Sequence, residues 1–178
     1  YADDDDHDVK TQVSVIVHDH KLEKIWEKVF TLPYSQKQFG FKNWTVANDG
    51  RVYLLAKIYD ENNNKESKKE DGKRSPAYKM VVFRLDAEST VPYQIQLQLG
   101  GKYATDVTFK LDAAGDLSCS GFYSNDRRGV IQGVFFSRIS GQNGQMLTTN
   151  HKEFTPSDLA LFDTDKDKSG DEGLDRTF

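Results

Sequence analysis

The chain has 178 residues, 37% hydrophobic and 29% charged, with 12% aromatic residues and a formal net charge of −4. That is enough apolar material for one domain or a few small repeats, and the acidic balance supplies no basic field for nucleic acid. No apolar run approaches the roughly 20 residues that a membrane-spanning helix needs, and the single cysteine, Cys119, reads as a small buried hydrophobe inside a strand.

Residues 1–11 open on the acidic run Asp3–Asp6 and read as a disordered tail. From Gln12 the pattern changes, because Val13, Val15 and Val17 alternate with polar residues at the period of a half-buried strand. His18-Asp19-His20 makes a turn. Leu22 to Leu32 fits both a helical stripe (Leu22, Ile25, Trp26, Val29, Phe30) and one face of a strand (Trp26, Phe30, Leu32). Strand is preferred because of the repeat described below.

Phe39–Val46 and Val52–Tyr59 flank Asn48-Asp49-Gly50, a hairpin signal. Residues 60–76 are almost wholly polar, a solvated loop insertion. Tyr78–Leu85 resumes as a strand. Tyr93, Ile95, Leu97 and Leu99 then alternate up to the turn at Gly100-Gly101, and Val107, Phe109 and Leu111 alternate up to the turn at Asp112–Gly115. Leu117–Tyr123 and Val130–Ile139 form the next pair, and Met146–Phe154 is a weaker strand. Pro156-Ser157-Asp158 opens a short helix, and residues 163–173 form a charged loop before the start of a further strand.

The chain also repeats itself. Placing Gly50 on Gly115, an offset of 65, brings Trp44 onto Phe109, Val46 onto Leu111 and Val52 onto Leu117. Met80–Leu85 matches Val134–Ile139 at an offset of 54, and the difference of 11 falls in the 60–76 loop, where a repeat tolerates an insertion. A partial third copy sets Val15–Asp19 on Val82–Asp86 and leads to Trp26 or Tyr93. The expected fold is all-β: antiparallel four-stranded repeats, about two β-propeller-type blades at 22–86 and 91–140 within a region 12–154, either open or part of a larger propeller. A β-sandwich or barrel is the alternative, and residues 155–178 carry the short helix and charged loop.

The runs KLEKIWEKVFTLPYS (21–35), NDGRVYLLAKIY (48–59), GDLSCSGFYS (115–124), GVFFSRI (133–139) and KEFTPSDLALF (152–162) resemble a family of uncharacterised, exported β-propeller-like repeat proteins of Bacteroidota. The resemblance covers roughly residues 12–162. It implies an extracytoplasmic setting (periplasmic, outer-membrane-associated or secreted) and a longer chain with further blades, and it supplies no catalytic residues.

The main metal candidate is calcium at Asp163, Asp165, Asp167, Ser169 and Asp171. Calcium loops place oxygen donors at alternate positions, and Asp165, Asp167, Ser169 and Gly170 match the start of such a loop. The match breaks at Glu172 and Arg176, where an apolar residue and a glutamate belong. Asp3–Asp6 with His7, and His18 with His20, are weaker cation candidates, and His151 stands alone. No nucleophile elbow, phosphate loop or dinucleotide fingerprint is present in the sequence. Tyr34, Phe39, Phe41, Trp44, Tyr103 and Tyr123 are aromatics for packing between blades or for a binding rim. The functional expectation is a non-catalytic structural or protein-interaction module of a cell-envelope or secreted protein, with a protein partner or further blades. A carbohydrate-binding or carbohydrate-active domain is the alternative, and two carboxylates in one pocket would favour the enzyme.

Overall fold

In a computed structural model of the chain, the structure describes residues 9–59, 78–125 and 131–160. These described residues form ten strands and one short helix, in order: β1 Lys10–His18, β2 Lys24–Ser35, β3 Phe39–Val46, β4 Val52–Tyr59, β5 Tyr78–Leu85, β6 Tyr93–Gln96, β7 Tyr103–Leu111, β8 Leu117–Ser124, β9 Gly133–Ile139, β10 Met146–Glu153 and α1 Pro156–Ala160. All strand pairings are antiparallel. β1 and β2 form a hairpin, β3-β4-β5-β6 a middle sheet, and β7-β8-β9-β10 a C-terminal sheet. Both four-stranded sheets are open meanders of the blade type, and neither closes into a barrel. The strand begins at Lys10, so the expected tail loses its last two residues to β1.

The ambiguous segment around Trp26 is a strand. Its helical stripe yields to pairing with β1, in which Val17 faces Trp26 and Val13 faces Phe30. The inward side chains Trp26, Phe30 and Leu32 then share one face, and Phe30 and Leu32 are fully covered.

The repeat is realised as strand pairing. Val52 pairs with Leu85 in the middle sheet, and Leu117 pairs with Ile139 in the C-terminal sheet. The two hairpin turns are the same. Gly50 and Gly115 both adopt positive φ, at 82° and 79°. In each turn one amide closes the wide bond (Ala47 N to Arg51 O; Asp112 N to Asp116 O) and the glycine amide closes the tight one. The turn at Asp19–Glu23 has the same two bonds, but Leu22 occupies the left-handed position at φ 64°. The four-stranded sheets span 39–96 and 103–153, one strand later than the units read at 22–86 and 91–140, because β2 pairs with β1 and β3 starts a new sheet.

The three sheets stack with the middle sheet between the other two. One core, between the middle and C-terminal sheets, includes Tyr53, Leu55, Met80, Val82, Val107, Phe109, Cys119, Phe135 and Ile139. The other, between the hairpin and the middle sheet, includes Val17, Phe30, Leu32, Val52, Leu54, Ile58, Phe83 and Leu85. By the offsets 65 and 54, the face that each four-stranded sheet turns toward the preceding sheet is the same one: Val52, Leu54 and Leu85 correspond to Leu117, Cys119 and Ile139. The stack is therefore head to tail.

One expectation from the repeat is corrected. Trp44 and Phe109 occupy the same strand, face and register, since Trp44 pairs with Leu54 and Phe109 with Cys119. Their burial nevertheless differs: Trp44 is 59% exposed and Phe109 only 3%. Phe109 lies under a four-stranded sheet, whereas Trp44 faces a hairpin two strands wide that covers β4 and β5 but stops short of β3.

Candidate functional site

The hairpin's short reach leaves an apolar groove of about 510 Å³ between β1 and the rim of the middle sheet. Its lining includes Val13, Val15 and Val17 from β1 and Phe41, Trp44 and Val46 from β3. A register shift between Phe41 and Asn43 keeps Phe41, Trp44 and Val46 on one face despite their uneven spacing. β1 pairs with β2 alone, so among the described residues its other edge has no neighbouring strand.

Across the stack, a cleft of about 560 Å³ lies under the β6–β7 connection, lined by Tyr78, Lys79, Gln96, Gln98, Lys102 and Tyr103 among others. Lys102 Nζ donates to Asn125 Oδ1 at 2.7 Å and lies 4.4 Å from the centroid of the Tyr123 ring. Tyr78 Oη bonds the Ala104 carbonyl at 3.2 Å, which ties β5 to β7. Neither lining includes an aspartate or glutamate.

Polar clamps hold the sheets in register. Arg51 Nη1 and Tyr53 Oη each donate to the Gly141 carbonyl at 2.9 Å, and Tyr93 Oη donates to the Asn143 carbonyl at 2.9 Å. These bonds fix the β9–β10 turn of the following sheet. At the preceding junction, Lys28 Nζ caps the Ala87 and Ser89 carbonyls at 3.0 and 2.7 Å, and Trp26 Nε1 donates to the Gly50 carbonyl at 3.1 Å. Arg138 reaches Asp112 at 2.8 Å and Asp116 at 2.9 Å. Desolvation pulls the Asp112 carboxyl upward, but the amides of Asp116 and Ala114 and the Arg138 guanidinium outweigh it and leave it below the ordinary range. This pair of neighbouring carboxylates caps a turn and neutralises an arginine, which is a structural role.

The sequence candidates distribute as follows. Asp163, Asp165, Asp167, Ser169 and Asp171 lie outside the described residues, as do Asp3–Asp6 and His7. His18 ends β1, and Asp19 between it and His20 accepts the amides of Lys21 and Glu23 as a turn cap. Among the described residues no three His, Cys, Asp or Glu side chains gather in a group that could hold a metal. His151 stacks edge-on to Tyr123 at 5.3 Å. Of the six singled-out aromatics, Tyr123 is buried and Tyr34, Phe39 and Tyr103 are half-buried, while Phe41 and Trp44 are exposed in the groove. Sequence reasoning named these two but not β1 as the opposite wall. The partial third copy held that signal, since it equates β1 with β5, the third strand of a unit. Cys119 is fully buried and its thiol is pushed up to about 12 by desolvation. Among the described residues no helix is long and apolar enough to cross a membrane.

Comparison with protein-family models, curated proteins and solved structures gives no match to this chain.

Proposed function

We propose that the chain is a non-catalytic structural or protein-interaction module of a cell-envelope or secreted protein, built to join further β-structure. The observation that carries this is the contrast between repeat-equivalent positions. Val82 is buried between sheets, while its equivalent Phe136, on the outward face of the C-terminal sheet, is 43% exposed beside the exposed Phe122. At the other end Ile16, Ile25 and Val29 are exposed on the hairpin's outward face. Apolar side chains exposed on the strand faces at both ends of the stack support interaction surfaces there. The resemblance to exported repeat proteins supports the extracytoplasmic setting.

Light scattering over a concentration series tests the reading. The expected result is a mass that rises above 20.3 kDa with concentration and returns to that value in Phe122→Ser/Phe136→Ser. A constant monomer mass for both proteins overturns association through this face. The polar cleft under the β6–β7 connection favours a second reading, carbohydrate binding, because it places amide and ammonium groups beside Tyr78 and Tyr103. A rise in Tm with oligosaccharides that is lost in Gln98→Ala would support it.

A further inference from the structure

We propose that the free edge of β1, with the row Phe41, Trp44 and Val46 beside it, is an acceptor site for an extended strand donated from outside these 178 residues. The strand adds antiparallel to β1 and presents apolar side chains at alternate positions to the groove. This deepens the reading as an interaction module and rests on it.

The repeat itself states what is missing. Val15–Asp19 matches Val82–Asp86, so β1 stands where β5 stands in the middle sheet, and β2 where β6 stands. β5 pairs on one side with β6 and on the other with β4 over eight residues, antiparallel throughout. Among the described residues β1 has the equivalent of β6 but not of β4 or β3. The consequence is legible on the next sheet. Phe41 pairs with Ala56 as Val107 pairs with Gly121, so Phe41, Trp44 and Val46 correspond to Val107, Phe109 and Leu111. In the C-terminal sheet these residues are packed against a complete neighbouring sheet. In the middle sheet all three are exposed. The same row is covered where the adjoining sheet has four strands and open where it has two.

An edge strand offers unpaired N–H and C=O groups in a row, and an added strand satisfies them while its alternate side chains fill the adjacent apolar surface. The donor lies outside this sequence for two reasons. β4 and β8, the strands of the required type, are each paired on both sides, so a second copy cannot lend one without opening its own sheet. The stretches 1–8, 60–77 and 161–178 contain no run of three apolar residues at alternate positions.

The probe is a lysine-flanked synthetic peptide carrying residues 52–59, whose β4 sequence is the internal template for the missing strand. Two further peptides are N-methylated at alternate residues in complementary sets. Hydrogen exchange should show protection of residues 10–18 on adding the plain peptide. One N-methylated set should abolish it and the other should keep it, because only alternate amides face β1. Trp44→Ser and Phe41→Ser, both at exposed positions, should each weaken binding by about tenfold or more. Absent protection, or equal behaviour of the two N-methylated sets, overturns the acceptor site. A dimer mass without peptide, with residues 10–18 already protected, overturns the outside donor in favour of a second copy. The Phe122→Ser/Phe136→Ser experiment reads the opposite end of the stack, so either idea can fail alone.

Discussion

Trp44 and Phe109 permit an unusually clean comparison, because one repeat position occurs twice with different cover. Phe109 is 3% exposed between two sheets. Its replacement by alanine removes a buried ring and leaves a cavity, with an expected loss of about 3–5 kcal/mol. Trp44 is 59% exposed. About four-tenths of a side chain that buries at most ~250 Å² is ~100 Å², or about 2.5 kcal/mol at ~25 cal/mol per Å². That is an upper bound, because the unfolded chain also covers part of the ring, so Trp44→Ala should cost about 1–2 kcal/mol. Urea unfolding of the two variants, followed by circular dichroism and analysed with a shared m-value, measures both losses. Phe109→Ala should be the less stable by about 2–3 kcal/mol. Equal losses would mean that Trp44 is covered in solution as Phe109 is, and would refute the argument that the hairpin leaves β3 open.

Leu22→Gly should stabilise the fold. Leu22 is 82% exposed and sits at φ 64°, where the two equivalent turns use glycine, so relief of left-handed strain should outweigh glycine's added chain entropy by about 0.5–1 kcal/mol; an unchanged or lower Tm would refute this. Cys119 should resist a thiol-disulfide reagent in the native state at pH 8, because burial pushes its thiol up to about 12. Labelling should appear only as urea unfolds the chain, and immediate native labelling would contradict the buried position. Stability should fall under acid. The Arg51 side-chain bond holds the Asp49 carboxyl below its ordinary value, and Asp112 is lowered as well. Groups with depressed folded pKa values stabilise fully above the unfolded value of ~4 and lose that contribution as pH falls through the folded value. The Tm gap between the parent and Asp112→Asn should accordingly narrow from pH 6 to pH 2, and a constant gap would show that ionised Asp112 contributes nothing.

What was legible in the sequence was what local chemistry decides. The apolar runs Val52–Tyr59 and Tyr78–Leu85, set off by the turn at Gly50 and by the polar stretch 60–76, mark the strands β4 and β5 to the residue, and Gly50 and Gly115 mark turns that need positive φ. The offsets 65 and 54 become the pairings of Val52 with Leu85 and Leu117 with Ile139, because the apolar pattern on the buried faces fixes register even though the connections differ in length. The all-β architecture of four-stranded antiparallel repeats was readable on this basis. Burial across sheets was not. Trp44 and Phe109 carry the same local pattern, and only the width of the sheet opposite separates them, which no window around either residue contains. The groove was hidden for the same reason, since Val13–Val17 and Phe41–Val46 meet only after the hairpin has stacked.

The polar clamps explain why this stack has a definite register at all. Apolar faces of flat sheets tolerate sliding, because burial is not directional. Each junction here adds directional bonds from one sheet to the backbone of the next: Lys28 onto the turn that follows β5, and Arg51, Tyr53 and Tyr93 onto the turn that follows β9. The outward face of the C-terminal sheet keeps apolar rings but not this equipment. By the same offsets Tyr53 becomes Ser118, while Arg84, which caps the Gln142 carbonyl at 2.5 Å, becomes Arg138, bound to Asp112 and Asp116 of its own sheet. A partner on that face would be held by its fit to Phe122 and Phe136 and would have to bring its own directional contacts. At the β1 edge the reverse holds, because a ladder of backbone groups supplies the directional bonds and the apolar row beside it is left to select the register. On the two readings proposed above, the ends of the stack differ in kind: the hairpin end would select a strand, and the C-terminal end an apolar surface.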